Sequence, residues 1–243
     1  MRASIAALGL LLAACAAPAP QPAGPIMMSG VLQGGITDNV YRDKRGWFTV
    51  ATPVPAGGDD YRNMLVQEAY PERISFVNFI PQTAPGEYYR AYVEDFFAGN
   101  HPVPSLSTIA DNALKVYGKQ LMDARLEPMV LQQEKPWNSG ATQGLMRLYT
   151  QKVSTALLAH DLMQGLALAD DYTAYILLYI TARNGKVAML WAEWPEDCSV
   201  CPPIPSGPAK DGADAIDRAL ASNTRAAAFL RSFGYAAGAS AYQ

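Results

Sequence analysis

Charge is scarce in this chain of 243 residues. Asp, Glu, Lys and Arg make up 17% of it, against about 25% in an ordinary soluble protein. No basic tract stands out, which removes the electrostatic footprint of a nucleic-acid binder. Histidine occurs twice, as His101 and His160, so imidazole chemistry rests on one candidate dyad at most. Cysteine occurs three times, as Cys15, Cys198 and Cys201. No Gly-x-Ser-x-Gly elbow, EF-hand ligand array or internal repeat is present. The N-terminal apolar run ends at Ala14 after about ten residues, short of the ~20 a spanning helix needs.

What is present begins with an address. Arg2 is a positive start, Ile5 to Leu12 a short apolar core, and Ala13 and Ala14 small residues before a cut. Leu12-Ala13-Ala14-Cys15 resembles the lipobox of bacterial lipoproteins. The resemblance implies cleavage of residues 1–14 as a signal peptide, acylation of Cys15 and attachment to membrane lipid. Each buried methylene adds ~0.8 kcal/mol, so several acyl chains hold such a protein on the surface. Ala16 follows the cysteine where that family uses Asp for inner-membrane retention. The expected site is therefore the outer membrane, facing the periplasm.

Ala16 to Pro25 holds four prolines in ten residues. Such a segment extends as a polyproline-like leash, at ~3.1 Å per residue. Residues 26–39 read either as more leash or as an edge strand, and the expected tether runs over 15–40. Losing Arg2 with the signal lowers the basic count of 19 by one against 22 acidic residues, for a net charge of about −4. A domain of roughly 195 residues, 41–235, is long enough for one core. Residues 236–243 form a weakly polar tail expected to fray.

Along that domain, Gly46 to Ala51 reads as a strand, Val54 to Asp60 as a turn, and Asn63 to Ala69 and Arg73 to Ile80 as strands. Tyr89, Val93, Phe96 and Phe97 recur at helical spacing and predict a helix over 87–97. Ser107 is the expected cap of a second helix with the stripe Ile109, Ala113, Tyr117, Leu121 and Ala124. Leu126 to Gln133 and Thr142 to Val153 are strand-like, separated by a turn over 136–140. Residues 154–171 fit either a short helix or a crossing loop.

The strongest local pattern is Tyr172 to Ala182, a turn at Asn184-Gly185, and a return over Val187 to Trp194. Asn-Gly suits a two-residue type I′ loop, because both central positions take positive φ. That loop sets Arg183 opposite Lys186, Ile180 opposite Met189, Leu178 opposite Trp191, Tyr179 opposite Leu190 and Tyr175 opposite Trp194. Both faces then carry apolar bulk, which predicts two central strands covered on both sides. A final helix is expected from about Asp211 to Phe233, burying Ile216, Leu220, Ala227 and Leu230. Asp214 and Asp217 start it, Arg225 and Arg231 lie toward its end, and Gly234 closes it.

Strands, helices, strands, a hairpin and a helix, without regular alternation, predict an α+β fold with a mostly antiparallel β-sheet and helices packed on its faces. The element order and the early Gly46-Trp47-Phe48 strand resemble the PsbP-like fold. That resemblance implies accessory, assembly or binding domains, seldom enzymes.

The candidate chemistry is sparse. Cys198-Ser199-Val200-Cys201 reads as a small structural disulfide in an oxidising envelope. The following Pro202, Pro203 and Pro205 do not build the helix N-terminus a redox thiol needs. Four zinc ligands are not at hand, and no metal or cofactor is expected. His160-Asp161 with Ser139 or Ser154 is the one hydrolase arrangement to weigh. Asp59-Asp60, Asp170-Asp171 and Glu196-Asp197 read as solvated turns. Tyr88, Tyr89, Tyr92 and Phe96 form an aromatic concentration that serves either as core or as a partner or ligand surface, whereas Trp191 and Trp194 read as core. The expected protein is a non-catalytic binding or assembly module with an envelope protein partner. A ligand- or lipid-carrying domain is the alternative, and a hydrolase or redox enzyme the third.

Overall fold

The computed structural model describes residues 24–28, 31–96, 102–121, 128–153, 172–196 and 214–236. Its centre is the hairpin of β10 (Tyr172–Arg183) and β11 (Lys186–Pro195). Asn184 and Gly185 take φ of 50° and 72°, as the Asn-Gly loop requires. All five cross-strand pairs expected from that loop are present, from Arg183 opposite Lys186 to Tyr175 opposite Trp194.

Around it runs an eight-stranded sheet. It adds β1 (Ile26–Met27), β5 (Met64–Ala69), β6 (Ile74–Pro81), β7 (Tyr88–Asp95), β8 (Val130–Ser139) and β9 (Thr142–Val153). The order is β1-β5-β6-β7-β11-β10-β9-β8. Every pairing is antiparallel except β1 with β5. A four-stranded sheet, ordered β12-β4-β3-β2, is built from β2 (Gly35–Thr37), β3 (Val40–Arg42), β4 (Phe48–Ala51) and β12 (Gly234–Tyr235). Two stretches within the expected tether therefore pair into sheets: Ile26 and Met27 with β5, and Gly35 to Thr37 with β3.

Alternation along β10 and β11 sends side chains to two cores. Tyr175, Leu177, Tyr179, Leu190 and Trp194 join the larger one, with Tyr41, Phe48, Phe79 and Tyr89. The small sheet covers that face together with α3 (Ala215–Ser222) and α4 (Thr224–Arg231). Ile176, Leu178, Ile180, Val187, Met189 and Trp191 face the other way and pack with Ile109, Ala110 and Ala113 of α2 (Leu106–Leu121). Helices thus lie on both faces, but one face takes much of its cover from a second sheet.

Five local expectations are corrected. Residues 88–95 are strand β7, not a helix. Tyr89 and Val93 satisfy both a spacing of four and an alternation, and the inward set Tyr89, Ala91, Val93 decides for the strand. Ser105, not Ser107, caps α2 by accepting from the Thr108 amide at 3.2 Å. Pro136 continues β8 instead of ending it, which an edge strand permits. The C-terminal helix breaks at Asn223, whose φ and ψ of −123° and 98° are extended. The expected turn ends two residues early, because Asp59 and Asp60 open a four-residue helix, α1 (Asp59–Arg62). Residues 154–171, the signal, Cys15, Cys198, Cys201, His101 and His160 lie outside the described residues.

Candidate functional site

Strand pairing sets one transverse row on the α2 side of the large sheet. Gln67 opposes Asn78, Asn78 opposes Arg90, Arg90 opposes Trp191, Trp191 opposes Leu178, Leu178 opposes Arg147, and Arg147 opposes Glu134. Helix α2 covers the β9–β10 part of this face. There Arg147 is sunk to 8% side-chain exposure and donates to Glu134 at 2.5 Å and to Asp111 of α2 at 2.6 Å. It ties the helix to the sheet.

The β5–β7 part is chemically different. The Arg90 Nε donates to Asn78 Oδ1 at 2.8 Å, and Asn78 Nδ2 donates to Gln67 Oε1 at 2.9 Å. The guanidinium lies 5.6 Å from the Phe76 ring centre and 5.5 Å from that of Tyr88. The Tyr92 hydroxyl donates to Glu94 at 2.9 Å. Phe76, Tyr88, Arg90 and Tyr92 are all half-buried. Phe96 follows, its amide held by the Gly185 carbonyl at 2.9 Å. Of the four aromatics singled out in the sequence, Tyr88, Tyr92 and Phe96 therefore pack on this side. Tyr89 points through the sheet into the larger core, with no exposed surface.

Buried polar groups elsewhere act as anchors. Glu68, 5% exposed, accepts from the hydroxyls of Tyr41 and Tyr70, both at 2.8 Å, and from the amides of Gln33 and Gly34. This fixes the segment before β2 against β5. Burial, with the Glu68 carboxylate beside it, pushes the Tyr41 hydroxyl far above the usual phenol range. Asp43 accepts from Ser75 and from the amides of Arg45 and Trp47, and burial still pushes its carboxyl up.

Glu87, 1% exposed, accepts from the Tyr89 hydroxyl at 2.8 Å and faces Arg225 at 3.4 Å. Arg225 also reaches Asp60 at 2.8 Å. It stands at the start of α4, not toward the end of one long helix, and links α1, the β6–β7 turn and α4. Ser139, weighed as a nucleophile, is fully buried with its hydroxyl 2.8 Å from the Leu230 carbonyl and 3.2 Å from that of Phe233. Asp59 pairs with Arg62, and Glu196 accepts from Tyr175. Among the described residues, no three His, Cys, Asp or Glu side chains gather where a metal ion would sit. No helix among them is long and apolar enough to cross a membrane.

No family model matches the chain, and no curated protein matches it in sequence. Solved structures do align with it. The solution structure of cyanobacterial PsbP from Synechocystis is 10% identical, with a TM-score of 0.45 over 85% of this chain and 98% of the other. A point mutant of the protein Mog1 is 11% identical, with a TM-score of 0.44 over 84% and 98%. The Ran-binding protein Mog1p of Saccharomyces cerevisiae is 10% identical, with a TM-score of 0.42 over 83% and 96%.

The sequence reading missed Arg90, Phe76, Asn78 and Gln67. They come from three strands and meet only through pairing order. The buried carboxylates Asp43, Glu68 and Glu87 left one trace, a polar residue beside strand-type apolar runs.

Proposed function

We propose that this protein is a lipid-anchored envelope protein whose single domain serves as a non-catalytic binding or assembly module for another envelope protein. The observation that carries the binding part is the β5–β7 face. Two aromatic rings, Phe76 and Tyr88, flank an arginine whose orientation is fixed by an amide chain across two neighbouring strands, with Tyr92 on the same face. Tyr, Trp, Phe and Arg are the side chains enriched where proteins meet. A guanidinium held in place loses little freedom on binding, which favours a defined partner over loose contact.

The anchoring part rests on Leu12 to Cys15 and on the proline-rich stretch after it. Cys198 and Cys201 form a short structural disulfide in this reading. The test is crosslinking of the tagged full-length protein in cells, followed by detergent purification and mass spectrometry. A single stoichiometric envelope protein supports the module. A co-purifying lipid or small molecule without a protein partner would replace it with the carrier alternative.

A further inference from the structure

Among the described residues, five large hydrophobic side chains stand exposed, and three of them are Ile26, Met28 and Val31, at 48%, 38% and 83%. Strand alternation turns Met27 toward the larger core and leaves Ile26 and Met28 on the other side. Two attachments hold these residues on the domain. β1 pairs with β5, and the Met28 amide donates to the Val66 carbonyl at 3.0 Å. Further along, the amides of Gln33 and Gly34 donate to the buried Glu68 carboxylate. The exposed side chains are therefore presented at the β1 edge of the eight-stranded sheet.

The same part of the sequence carries no charge. From Ala3 to Thr37 there is no Asp, Glu, Lys or Arg, and the first is Asp38. The chain as a whole has a net charge of −3, so an anionic bilayer repels it in general. Ile26, Met28 and Val31 can enter the boundary between headgroups and acyl chains with no ion of their own stretch to desolvate. Lys44, which donates to Gln33 Oε1 at 2.6 Å, adds a cation that lipid phosphates accept.

We infer that Ile26, Met28 and Val31 form a second membrane contact, which lays the β1 edge of the domain on the lipid surface; the inference rests on the lipid-anchored reading. What selects lipid as the occupant is the chain itself. Cys15 stands eleven residues before Ile26. Its acyl chains therefore keep a bilayer within about 40 Å of β1, whatever else the domain meets. At that range the effective concentration of the lipid surface is high, and even a weak apolar contact is populated. A protein partner has no such standing proximity. β1 and β8 are the two edges of the large sheet, so the other exposed hydrophobics, Val130 and Leu131, lie at the opposite edge.

The test reconstitutes the full-length protein in vesicles of phosphatidylethanolamine and phosphatidylglycerol, with a fluorescent amino acid at Val31 or, as control, at Val130. Brominated lipids quench only a fluorophore that reaches the acyl boundary. Quenching at Val31 should be about three-fold stronger than at Val130, an apolar position 53% exposed. The variant Ile26→Asp/Met28→Asp changes two exposed side chains, and circular dichroism checks its fold. It should bring quenching at Val31 down to the Val130 level while the protein still floats with the vesicles. Equal quenching at the two positions, or quenching unchanged in a folded variant, overturns the inference and leaves the anchor standing. Shielding of Val31 that follows protein density instead of bromolipid overturns it in favour of a second copy. A protein adduct from a photocrosslinker at Val31 in cells overturns it in favour of a partner. Failure of the wild type to float with the vesicles overturns the anchor and the inference together.

Discussion

The Tyr179 ring lies across Gly144 in the neighbouring strand. A Cβ built on Gly144 would come within 2.5 Å of the ring's Cε2 and would also strike the Ile180 carbonyl. Trp137, opposite Gly144 on β8, meets the same ring edge-on at 5.0 Å. The Tyr179 hydroxyl donates to the Thr142 carbonyl at 2.8 Å. The glycine thus makes room for an aromatic that ties three strands together. Gly144→Ala should cost about 1–3 kcal/mol, the range for overpacking. Adding Tyr179→Leu should make the pair less costly than the two single changes together. Urea denaturation of the four proteins checks this, and strict additivity would contradict it.

Asn223 ends one helix and starts the next. Its Oδ1 accepts from the Ala226 amide at 2.9 Å, a cap for α4. Asn223→Ala should destabilise the protein by ~1 kcal/mol. Asn223→Ser keeps an acceptor and should recover most of that loss. Thermal denaturation of both variants decides, and equal losses would contradict the cap.

Burial raises the Glu87 carboxyl above its ordinary value, against the lowering pull of the Tyr89 hydroxyl and Arg225. Asp43 is raised by burial too. The folded state therefore binds these protons more tightly than the unfolded state, where the values are about 4. The resulting stability is complete below that value and is lost as pH rises through the raised folded values. Glu87→Gln keeps an acceptor for Tyr89 but cannot titrate. Across that rise the variant should lose less stability than wild type, with Asp43 supplying the remainder. The same pH slope in both proteins would contradict a raised Glu87.

Cysteine chemistry gives a fourth check. Mature protein purified without reductant should show no titratable thiol after denaturation, with Cys15 linked through its sulfur and Cys198 bonded to Cys201. One free thiol would point to an unmodified Cys15. Two would remove the disulfide.

The sequence made some of this legible and hid the rest for physical reasons. In the β10–β11 hairpin, Asn184-Gly185 fixes the turn, and a period of two then fixes every pair. Residues 88–95 misled because a spacing of four belongs to both helix and strand. The break at Asn223 hid behind an apolar stripe that continues on both sides of it, Ile216 and Leu220 before, Ala227 and Leu230 after. Ser222-Asn223-Thr224 was the available signal, three residue types that cap helices more readily than they extend them. At the candidate site, Tyr88 and Tyr92 stood out by composition. Arg90 did not, because its neighbours Asn78 and Phe76 reach it only through strand order.

The β5–β7 face as a partner surface is tested most directly by a photocrosslinking amino acid placed at Tyr92 in the full-length protein in living cells. A second position, Asp217 on α3, lies on the other side of the large sheet and is 53% exposed. The account predicts an adduct from Tyr92 with a single envelope protein and none from Asp217. Adducts of equal yield from both positions, or no protein adduct from Tyr92, would contradict it.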